Sequence, residues 1–381
     1  MAKQRIGIDV TSALTQGGGI GRYTRELVRA LVSLDKTNEY HLFSARVEDR
    51  PPVPDPLPNA VNVTHHQAPL SERWLYRLWY RARLPLPVQW ITGDLDLFHS
   101  PDFVLPPTSG DIPTLLTVHD LSFIYYPETF PRPLVDYLNR IVPWSVKRAT
   151  HVLADSKATK DDLLSVWQVP AEKVTVLYSG VSEAFHPVED VEMLTNVRRS
   201  YGIGERPYIL AVGTVQPRKN YQMLIRAFRP VAEKLPHILV IAGGKGWMEA
   251  EINAEVKRQG LQDRVQFIGF VADKQLPALY SGASLLAFPS LYEGFGLPIL
   301  EAMACGVPAL ISDASCLPEV GGDAAMQLQP MDDEAWAGAM LAILGNGQQH
   351  MEMVEAGFAQ VRQFSWTKAA QELMHVYAGL L

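Results

Sequence analysis

The 381-residue sequence has few cysteines, no long apolar run and no excess of basic residues. Its two cysteines, Cys305 and Cys316, are too few for a disulfide framework or a zinc cluster, so we expect a reducing compartment. No run of about eighteen apolar residues occurs, which argues against a membrane-spanning helix. The opening residues, MAKQRIGIDV, lack the apolar stretch of a signal peptide. These absences predict a cytoplasmic protein.

The charge balance is acidic, because 41 Asp and Glu residues outnumber 34 Lys and Arg residues and leave a formal net charge of -7. Nonspecific binding to nucleic acid is therefore not expected. A hydrophobic content of 47% is typical of a folded globular protein. The length exceeds that of one ordinary core, so two domains are expected.

Short, nearly continuous apolar runs alternate with helical patterns, which is typical of parallel strands covered on both faces. In the first half the runs are RIGIDV (5–10), YHLFSA (40–45), VNVTHH (61–66), LDLFHS (95–100), TLLTVHD (114–120), HVLADS (151–156) and KVTVLYSG (173–180). In the second half they are YILAVG (208–213), HILVIAGG (237–244), VQFIGFV (265–271), ASLLAFPS (283–290) and PALISD (308–313). Helical patterns cover 20–34, 133–149 and 219–235. The sequence thus predicts an α/β fold with two Rossmann-like, doubly wound parallel-sheet domains that face a central cleft.

The domain boundaries are predicted from composition. Residues 1–185 form the first domain and residues 205–362 the second, and the polar, weakly periodic segment 182–207 is interpreted as their connection. A last helix is predicted at about 366–381.

A glycine-rich loop with Gly18, Gly19 and Gly21 joins the first strand to a helix. Such a loop lets a ligand approach the backbone, and the helix start favours an anion. The loop is not a P-loop, because no Lys-Ser/Thr pair follows, and Glu48 and Asp49 come too late for a dinucleotide fingerprint. A flexible turn without a ligand is the alternative.

Polar side chains also stand at the ends of other predicted strands. His119 ends TLLTVHD, where a doubly wound sheet presents side chains to ligands and a histidine can donate to a sugar or a phosphate. A histidine satisfied by nearby backbone is the alternative, and it is preferred for His99. Asp94 and Asp96 resemble a metal-binding Asp-x-Asp clamp, but no further acidic cluster completes a metal shell, so we interpret them as strand-entry residues.

A basic pair follows the first strand of the second domain. Arg218 and Lys219 lie near a helix start, where cations are unfavourable unless an anion is close. Together they could hold a diphosphate through charge-assisted hydrogen bonds. Solvated surface charge is the alternative for one of the two.

The stretch LYEGFGLPILEAMACG (291–306) places Glu293 and Glu301 on either side of a predicted helix start. Pro298 suits the first turn and Gly306 the end, so a helix from about Leu297 to Cys305 is predicted. The amides of its first turn form a phosphate cradle at the positive end of the helix dipole; we assign them to Phe295, Gly296 and Leu297. Acids beside such a cradle suit a ligand with hydroxyls on both sides of its phosphates, such as a nucleotide sugar.

These residues resemble the signature of the retaining glycosyltransferases of family 4, which have the GT-B fold. The resemblance is carried by EGFGLPILEAMACGVP, DVTSALTQGGGIGRYTREL, VHDLSFIYYPETFP, ADSKATKDDLL and VGTVQPRKN, and it extends over nearly the whole chain. It implies a nucleotide sugar as donor substrate, with no further cofactor and no metal, and a final helix that returns to the first domain.

The resemblance also implies roles for single residues. Glu293 contacts hydroxyls of the transferred sugar, Glu301 contacts the ribose, and Lys219 with Arg218 stabilises the leaving diphosphate. The other implied donor contacts are the amides of Phe295, Gly296 and Leu297 on the diphosphate, Gly18 and Gly19 over the phosphates, His119 on the sugar, and the backbone of Phe270 and Val271 beside the base. One departure is Thr214, where many members carry an arginine.

The segments HDLSFIYYPETFP and VPAEKVTVLYSGV are most similar to those of bacterial mannosyltransferases that use GDP-mannose to build surface polysaccharides such as lipopolysaccharide. The implied acceptor is a glycan or a lipid-linked saccharide that binds the first domain, and the implied nucleotide-sugar-binding domain is the second. A nucleotide-sugar epimerase of the same fold and a non-catalytic nucleotide-sugar-binding protein are the alternatives.

Three arginines, Arg73, Arg77 and Arg81, recur at helical spacing beside Trp74 and Trp79. They form a basic stripe on a helix, and the aromatic neighbours suit peripheral contact with the inner face of the plasma membrane. An ordinary helix that packs its tryptophans inward explains the same pattern, so both interpretations stay open.

Overall fold

The computed structural model describes residues 3–47 and 57–381. Glu48 and Asp49 lie outside these residues. The chain forms two compact units. Unit 1 consists of Met1–Ile124, Pro133–Gly180 and Trp366–Leu381, and unit 2 of Tyr125–Arg132 and Val181–Ser365.

Unit 1 is built on a parallel sheet, which has seven strands within the described residues. The strands are β1 (Arg5–Asp9), β2 (Glu39–Arg46), β3 (Val63–Ser71), β4 (Leu97–Ser100), β5 (Thr114–Val118), β6 (His151–Ala154) and β7 (Val174–Val176), in the order β3-β2-β1-β4-β5-β6-β7. The central strand β4 is buried along its whole length, as expected of a strand covered on both faces.

Helices α1 to α7 connect these strands. They are α1 (Thr11–Thr15), α2 (Gly19–Leu34), α3 (Glu72–Leu75), α4 (Gln89–Thr92), α5 (Ser122–Tyr125), α6 (Arg132–Arg148) and α7 (Lys157–Trp167). A π-helix at Tyr76–Arg81 follows α3, and short 3-10 turns occur at Pro127–Thr129 and Ala171–Lys173.

Unit 2 repeats the arrangement with six parallel strands in its described residues. They are β8 (Tyr208–Val212), β9 (Ile238–Ala242), β10 (Val265–Gly269), β11 (Leu285–Phe288), β12 (Ala309–Ser312) and β13 (Met326–Leu328), in the order β10-β9-β8-β11-β12-β13. The helices are α8 (Val191–Ser200), α9 (Tyr221–Lys234), α10 (Glu249–Arg258), α11 (Leu276–Ser281), α12 (Leu297–Ala304), α13 (Leu317–Gly321), α14 (Asp333–Gly345) and α15 (Gly347–Val361). Further 3-10 turns lie at Pro217–Lys219, Asp273–Gln275 and Gly322–Ala324.

The last helix, α16 (Trp366–Leu380), belongs to unit 1 and packs on α2. Its Trp366 ring meets Tyr23 of α2 edge-on, with the ring centroids 6.0 Å apart. The hydroxyl of Tyr377 lies 2.8 Å from Nδ1 of His99 on β4. These buried contacts anchor the end of the chain to unit 1.

The predicted α/β class with two parallel-sheet units is confirmed. The predicted strands all occur, and β13 was missed. The interpretation of 182–207 as mere connection is wrong in its middle, because α8 forms there, buries Val197 and packs on α11 of unit 2. Within the described ranges, no helix combines the length and apolarity needed to cross a bilayer.

Candidate functional site

The basic pair and the acidic stretch of unit 2 follow neighbouring strands. Strand β8 pairs with β11, and the sheet order reverses at β8, whose other neighbour is β9. The turn Pro217–Lys219 follows β8, and the loop 289–296 follows β11. Open α/β sheets bind ligands at the carboxyl ends of strands where the order reverses. The topology therefore puts both segments at the favoured edge of the sheet.

Glu293 is bound by both cations of the basic pair. Nζ of Lys219 donates to Oε1 of Glu293 at 2.5 Å, and Nη1 of Arg218 lies 2.8 Å from Oε2. Arg218 also donates to the carbonyl of Tyr292. Lys219 and Glu293 are 9% and 8% exposed, and the Lys219 ammonium lies 5.0 Å from the centroid of the Phe288 ring. The structure thus joins residues 74 positions apart in one buried ionic cluster.

The cluster keeps the Glu293 carboxylate ionised. Burial by itself raises the pKa of this carboxyl, but the charges and hydrogen bonds of Arg218 and Lys219 lower it to about 2. Two cations and one carboxylate leave one positive charge at the end of β8. An anion that reaches this point gains charge-assisted hydrogen bonds from groups that are already in place.

Residues that the sequence did not single out hold the loop around Glu293. The thiol of Cys316 lies 3.1 Å from the carbonyl oxygens of Glu293 and Phe295 and donates between them. The amide of Glu293 donates to Oγ of Ser315 at 2.9 Å. Both partners precede α13 and follow β12, so they come from the next strand end along the sheet.

The helix predicted at about Leu297 to Cys305 is α12, which ends one residue earlier, at Ala304. Gly296 precedes it with φ 104° and ψ 46°, and a Cβ there would lie 2.9 Å from a methyl group of Leu317. Only glycine combines that backbone conformation with the available space. In the described part of the chain the amides of Gly296 and Leu297 donate to no other group, as expected at a helix start.

Glu301 lies inside α12 and is 2% exposed. Its Oε2 accepts a hydrogen bond of 2.7 Å from the hydroxyl of Tyr280, the fully buried tyrosine of α11. Nothing in the sequence pattern indicated Tyr280, because α11 reads as an ordinary apolar helix. The tyrosine fixes the Glu301 carboxylate one helical turn beyond the start of α12.

The remaining predicted positions of unit 2 differ in exposure. Phe270 follows β10 and is 60% exposed, whereas Val271 is 5% exposed. An aromatic side chain left in solvent at a strand end is available to a flat ligand such as a base. Thr214 is exposed and adds no cation.

In unit 1, Gly18 and Gly19 form the start of α2 and are exposed. Gly18 has an ordinary extended conformation, with φ -87° and ψ -165°. A Cβ at either position would meet no atom within 4 Å, whereas at Gly21 it would lie 1.9 Å from the carbonyl oxygen of Gln16. The fold itself therefore requires glycine at 21 but not at 18 or 19.

His119 directly follows β5 and is 6% exposed. Its Nδ1 donates to Oδ2 of Asp155 at 2.7 Å, and its Nε2 lies 3.2 Å from the carbonyl oxygen of Pro101. Burial lowers the pKa of the imidazole, but the Asp155 carboxylate raises it to about 9. Both ring nitrogens are thus engaged within unit 1, and contact with a sugar remains a prediction.

The acidic pair that resembled a metal clamp is an ionic contact with β1. Arg5 donates from Nη2 to Asp96 at 2.8 Å, and its Nη1 lies 3.6 Å from Asp94. This geometry agrees with the interpretation of both acids as strand-entry residues. His99 is buried between Tyr377 and Thr117, and burial lowers its pKa to about 3.

The arginine stripe lies on an irregular helix rather than a continuous α-helix. Residues Glu72–Leu75 are α-helical and Tyr76–Arg81 are π-helical. Trp74 is 50% exposed and stacks with Arg77, whereas Trp79 is buried and donates to the carbonyl of Leu86. One tryptophan thus faces solvent and the other packs inward.

Solved structures with the same architecture define the class of the fold. The chain superposes on sucrose-phosphate synthase from Thermosynechococcus elongatus with a TM-score of 0.76, 21% identity and 99% of each chain covered. This likeness shows that the fold is GT-B, the architecture of two Rossmann-like units found in glycosyltransferases.

Sequence comparisons then identify the family. Residues 17–185 match Glycosyltransferase Family 4, and residues 195–360 match Glycosyl transferases group 1. The chain is 31% identical over 371 residues to O-antigen chain mannosyltransferase B of Escherichia coli, covering 94% of this chain and 95% of the relative. It is 32% identical over 226 residues to O-antigen chain mannosyltransferase RfbU of Salmonella typhimurium, covering 59% of each. The chain belongs to glycosyltransferase family 4 and is a glycosyltransferase.

Proposed function

We propose that the chain is a retaining mannosyltransferase that moves mannose from GDP-mannose to a hydroxyl of a glycan or lipid-linked saccharide in the synthesis of a surface polysaccharide. Two relatives named as O-antigen mannosyltransferases support the sugar and the pathway class. GDP as the carrier and retention of configuration are expectations from the family resemblance.

The observation that carries the proposal is the buried cluster of Lys219, Arg218 and Glu293 beside the start of α12. The cluster has one surplus positive charge, and the helix start adds amides and a positive dipole end. Both features favour a diphosphate. The two glutamates add acceptors for hydroxyls on either side of it, which is the pattern of a nucleotide sugar.

The same groups account for the chemistry. As the bond between the sugar and the diphosphate breaks, negative charge grows on the diphosphate, and Lys219 with Arg218 stabilises it electrostatically. A diphosphate oxygen takes the proton of the attacking acceptor hydroxyl. The oxygen of that hydroxyl becomes the new glycosidic oxygen. Glu293 stays ionised because its pKa is about 2, and it accepts hydrogen bonds from the sugar. No step requires a metal or another cofactor.

Slow donor hydrolysis without acceptor tests the proposal. The purified chain is incubated with GDP-mannose, GDP-fucose, UDP-glucose and UDP-N-acetylglucosamine, and NMR follows the released sugar and its anomeric configuration. We expect GDP-mannose to be hydrolysed fastest and the first-formed mannose to be the α-anomer. Hydrolysis of none of the four would contradict the enzyme proposal and leave a nucleotide-sugar-binding protein. A β-anomer would contradict retention.

The same spectra separate transfer from epimerisation. An epimerase would convert an intact nucleotide sugar into its epimer without releasing free sugar. We expect free mannose and GDP in equal amounts and no new nucleotide sugar.

A further inference from the structure

The side chain of Lys219 packs closely against two other residues on its way to Glu293. A Cβ at Gly213, which directly follows β8, would lie 2.8 Å from Cε of Lys219, so the lysine stem passes directly over this glycine. The ammonium lies 5.0 Å from the centroid of the Phe288 ring. These contacts leave the side chain little freedom, so the place of the ammonium depends on the backbone at position 219.

The backbone changes direction at the next residue, Asn220. Lys219 ends the 3-10 turn Pro217–Lys219, and α9 begins at Tyr221. Asn220 lies between the two elements and has the left-handed conformation, with φ 58° and ψ 32°. Asparagine adopts this conformation more readily than most residues, because its short polar side chain can hydrogen-bond locally. The conformation of Asn220 therefore sets the direction in which the lysine turn meets α9.

The side-chain amide of Asn220 donates to two backbone carbonyls. The residue is 7% exposed. Its Nδ2 donates to the carbonyl oxygen of Pro289 at 3.2 Å and to that of Pro330 at 2.6 Å, so both N–H groups of the amide are used. Pro289 directly follows β11 and begins the loop that carries Glu293, and Pro330 follows β13. The amide thus ties the lysine turn to the loop of Glu293 and to a third strand end.

A backbone hydrogen bond joins the same two segments. The amide of Leu291 donates to the carbonyl oxygen of Arg218 at 2.9 Å. On the side of the carboxylate, the thiol of Cys316 holds the carbonyl of Glu293. The loop of Glu293 is therefore fixed by its own contacts, and Asn220 fixes the lysine turn against it without belonging to the ionic cluster.

We propose that Asn220 is a positioning residue that acts through Lys219, an inference that rests on the proposed transferase function. By joining the lysine turn to the loop of Glu293, its amide holds the ammonium at the place where negative charge grows on the leaving diphosphate. Electrostatic stabilisation depends on groups that are already in place, and a displacement of about 1 Å can cost about a hundredfold in rate. In this role the amide itself touches no substrate atom.

Two substitutions and one matched control test this role. Asn220→Gly removes both hydrogen bonds and keeps the left-handed conformation accessible. Asn220→Asp keeps the shape of the side chain, but an oxygen then faces carbonyl oxygens where an N–H group donated before. The control is Tyr208→Phe, which removes the buried hydrogen bond of 2.5 Å from the tyrosine hydroxyl to the carbonyl of Leu279. Tyr208 begins β8 and lies at the end of the strand away from the cluster.

Binding of GDP, measured by isothermal titration calorimetry, reports on Lys219 without turnover, because GDP carries the charge of the leaving diphosphate. We expect Asn220→Gly and Asn220→Asp each to weaken GDP binding about tenfold, the effect of impairing one charge-assisted hydrogen bond. Tyr208→Phe should leave it unchanged. In a Lys219→Met background, Asn220→Gly should have no additional effect, because the group that it positions is absent. Melting midpoints should fall in Asn220→Gly and Tyr208→Phe alike, and binding is measured below them.

Steady-state hydrolysis of GDP-mannose gives a second measurement. Asn220→Gly should lower kcat about tenfold and change KM by less than about threefold, because Lys219 acts most strongly on the charge that grows in the transition state. If Asn220 were important for folding alone, Asn220→Gly would resemble Tyr208→Phe in GDP binding and in kcat.

The positioning role and the proposed function fail separately. Unchanged GDP binding in both Asn220 variants, an equal loss in Tyr208→Phe, or an additional loss in the Lys219→Met background overturns the positioning role. A chain that hydrolyses GDP-mannose but gives one of these results keeps its function. A chain that shows the expected pattern of GDP binding but hydrolyses no nucleotide sugar keeps the positioning of Lys219 and loses the transferase function.

Discussion

At the scale of single residues, the central feature is the ionic cluster around Glu293. A carboxylate that is 8% exposed is tolerable because Arg218 and Lys219 compensate the loss of its hydration. The cluster also explains why cations lie close to a helix start, where the dipole disfavours them. In the free chain the carboxylate neutralises part of their charge, and a diphosphate can do so when a donor binds.

The residue-scale prediction concerns the stability of this cluster. Glu293→Gln leaves the buried Lys219 and the partly buried Arg218 without their carboxylate. We therefore expect the free energy of unfolding to fall by about 3 kcal/mol. The melting midpoint should fall by roughly 6–12 °C. In the wild type, the Glu293 pKa of about 2 lies below its unfolded value. Its contribution is therefore present above the unfolded pKa and disappears as the pH falls towards 2.

A double variant and an exposed pair provide the controls. Glu293→Gln combined with Lys219→Met should be no less stable than Glu293→Gln alone, because the second change removes an uncompensated cation. Asp333→Asn breaks the half-exposed ion pair with Arg226 and should change stability by less than about 1 kcal/mol. If Glu293→Gln has the same melting midpoint as the wild type, the cluster contributes nothing to folding and our account of it is wrong.

At the scale of elements, the glycines at the start of α2 fall into two groups. The fold requires Gly21, whereas Gly18 and Gly19 are predicted to serve donor binding. Gly21→Ala drives a Cβ into the carbonyl of Gln16, so we expect a clear loss of stability. Gly18→Ala and Gly19→Ala meet open space and should leave the melting midpoint unchanged or slightly higher.

The two site glycines should instead affect donor binding. If phosphates approach the backbone at this turn, an added methyl group at 18 or 19 raises the KM for GDP-mannose several-fold. Thermal melting of Gly18→Ala, Gly19→Ala and Gly21→Ala checks the prediction for stability. Steady-state donor hydrolysis by the same variants checks the prediction for donor binding. Destabilisation by Gly18→Ala without any kinetic change would assign the turn to folding alone.

Several elements could be read from the sequence, and the failures have physical causes. The helix α12 was predicted to within one residue, because Gly296, Pro298 and Gly306 mark both its ends. The strand β13 was missed, since three half-buried residues are too few to show the alternation or continuous apolar run of a strand. The helix α8 was hidden by its polar composition, and the π-helix at Tyr76–Arg81 leaves no signature in spacing rules that assume 3.6 residues per turn.

At the scale of the whole molecule, periodicity was enough to predict two parallel-sheet units, because the inner strands of both sheets are buried along their whole length. The ion pairs of the site were not predictable in the same way. Lys219 and Glu293 meet because β8 and β11 are neighbours, and strand order is not visible in a single sequence. The supporting groups Tyr280 and Cys316 depend equally on contacts between distant segments.

The central claim is that the full chain uses one site in unit 2 to bind a nucleotide sugar and to break its sugar–diphosphate bond, with the two glutamates in different roles. Steady-state hydrolysis of GDP-mannose by Glu301→Gln and Glu293→Gln, below their melting midpoints, tests this most directly. We predict that Glu301→Gln raises KM about tenfold with little change in kcat, as expected for a lost ribose contact. Glu293→Gln should lower kcat by about a hundredfold. Unchanged kinetics in both variants, or the two effects exchanged, would contradict the account.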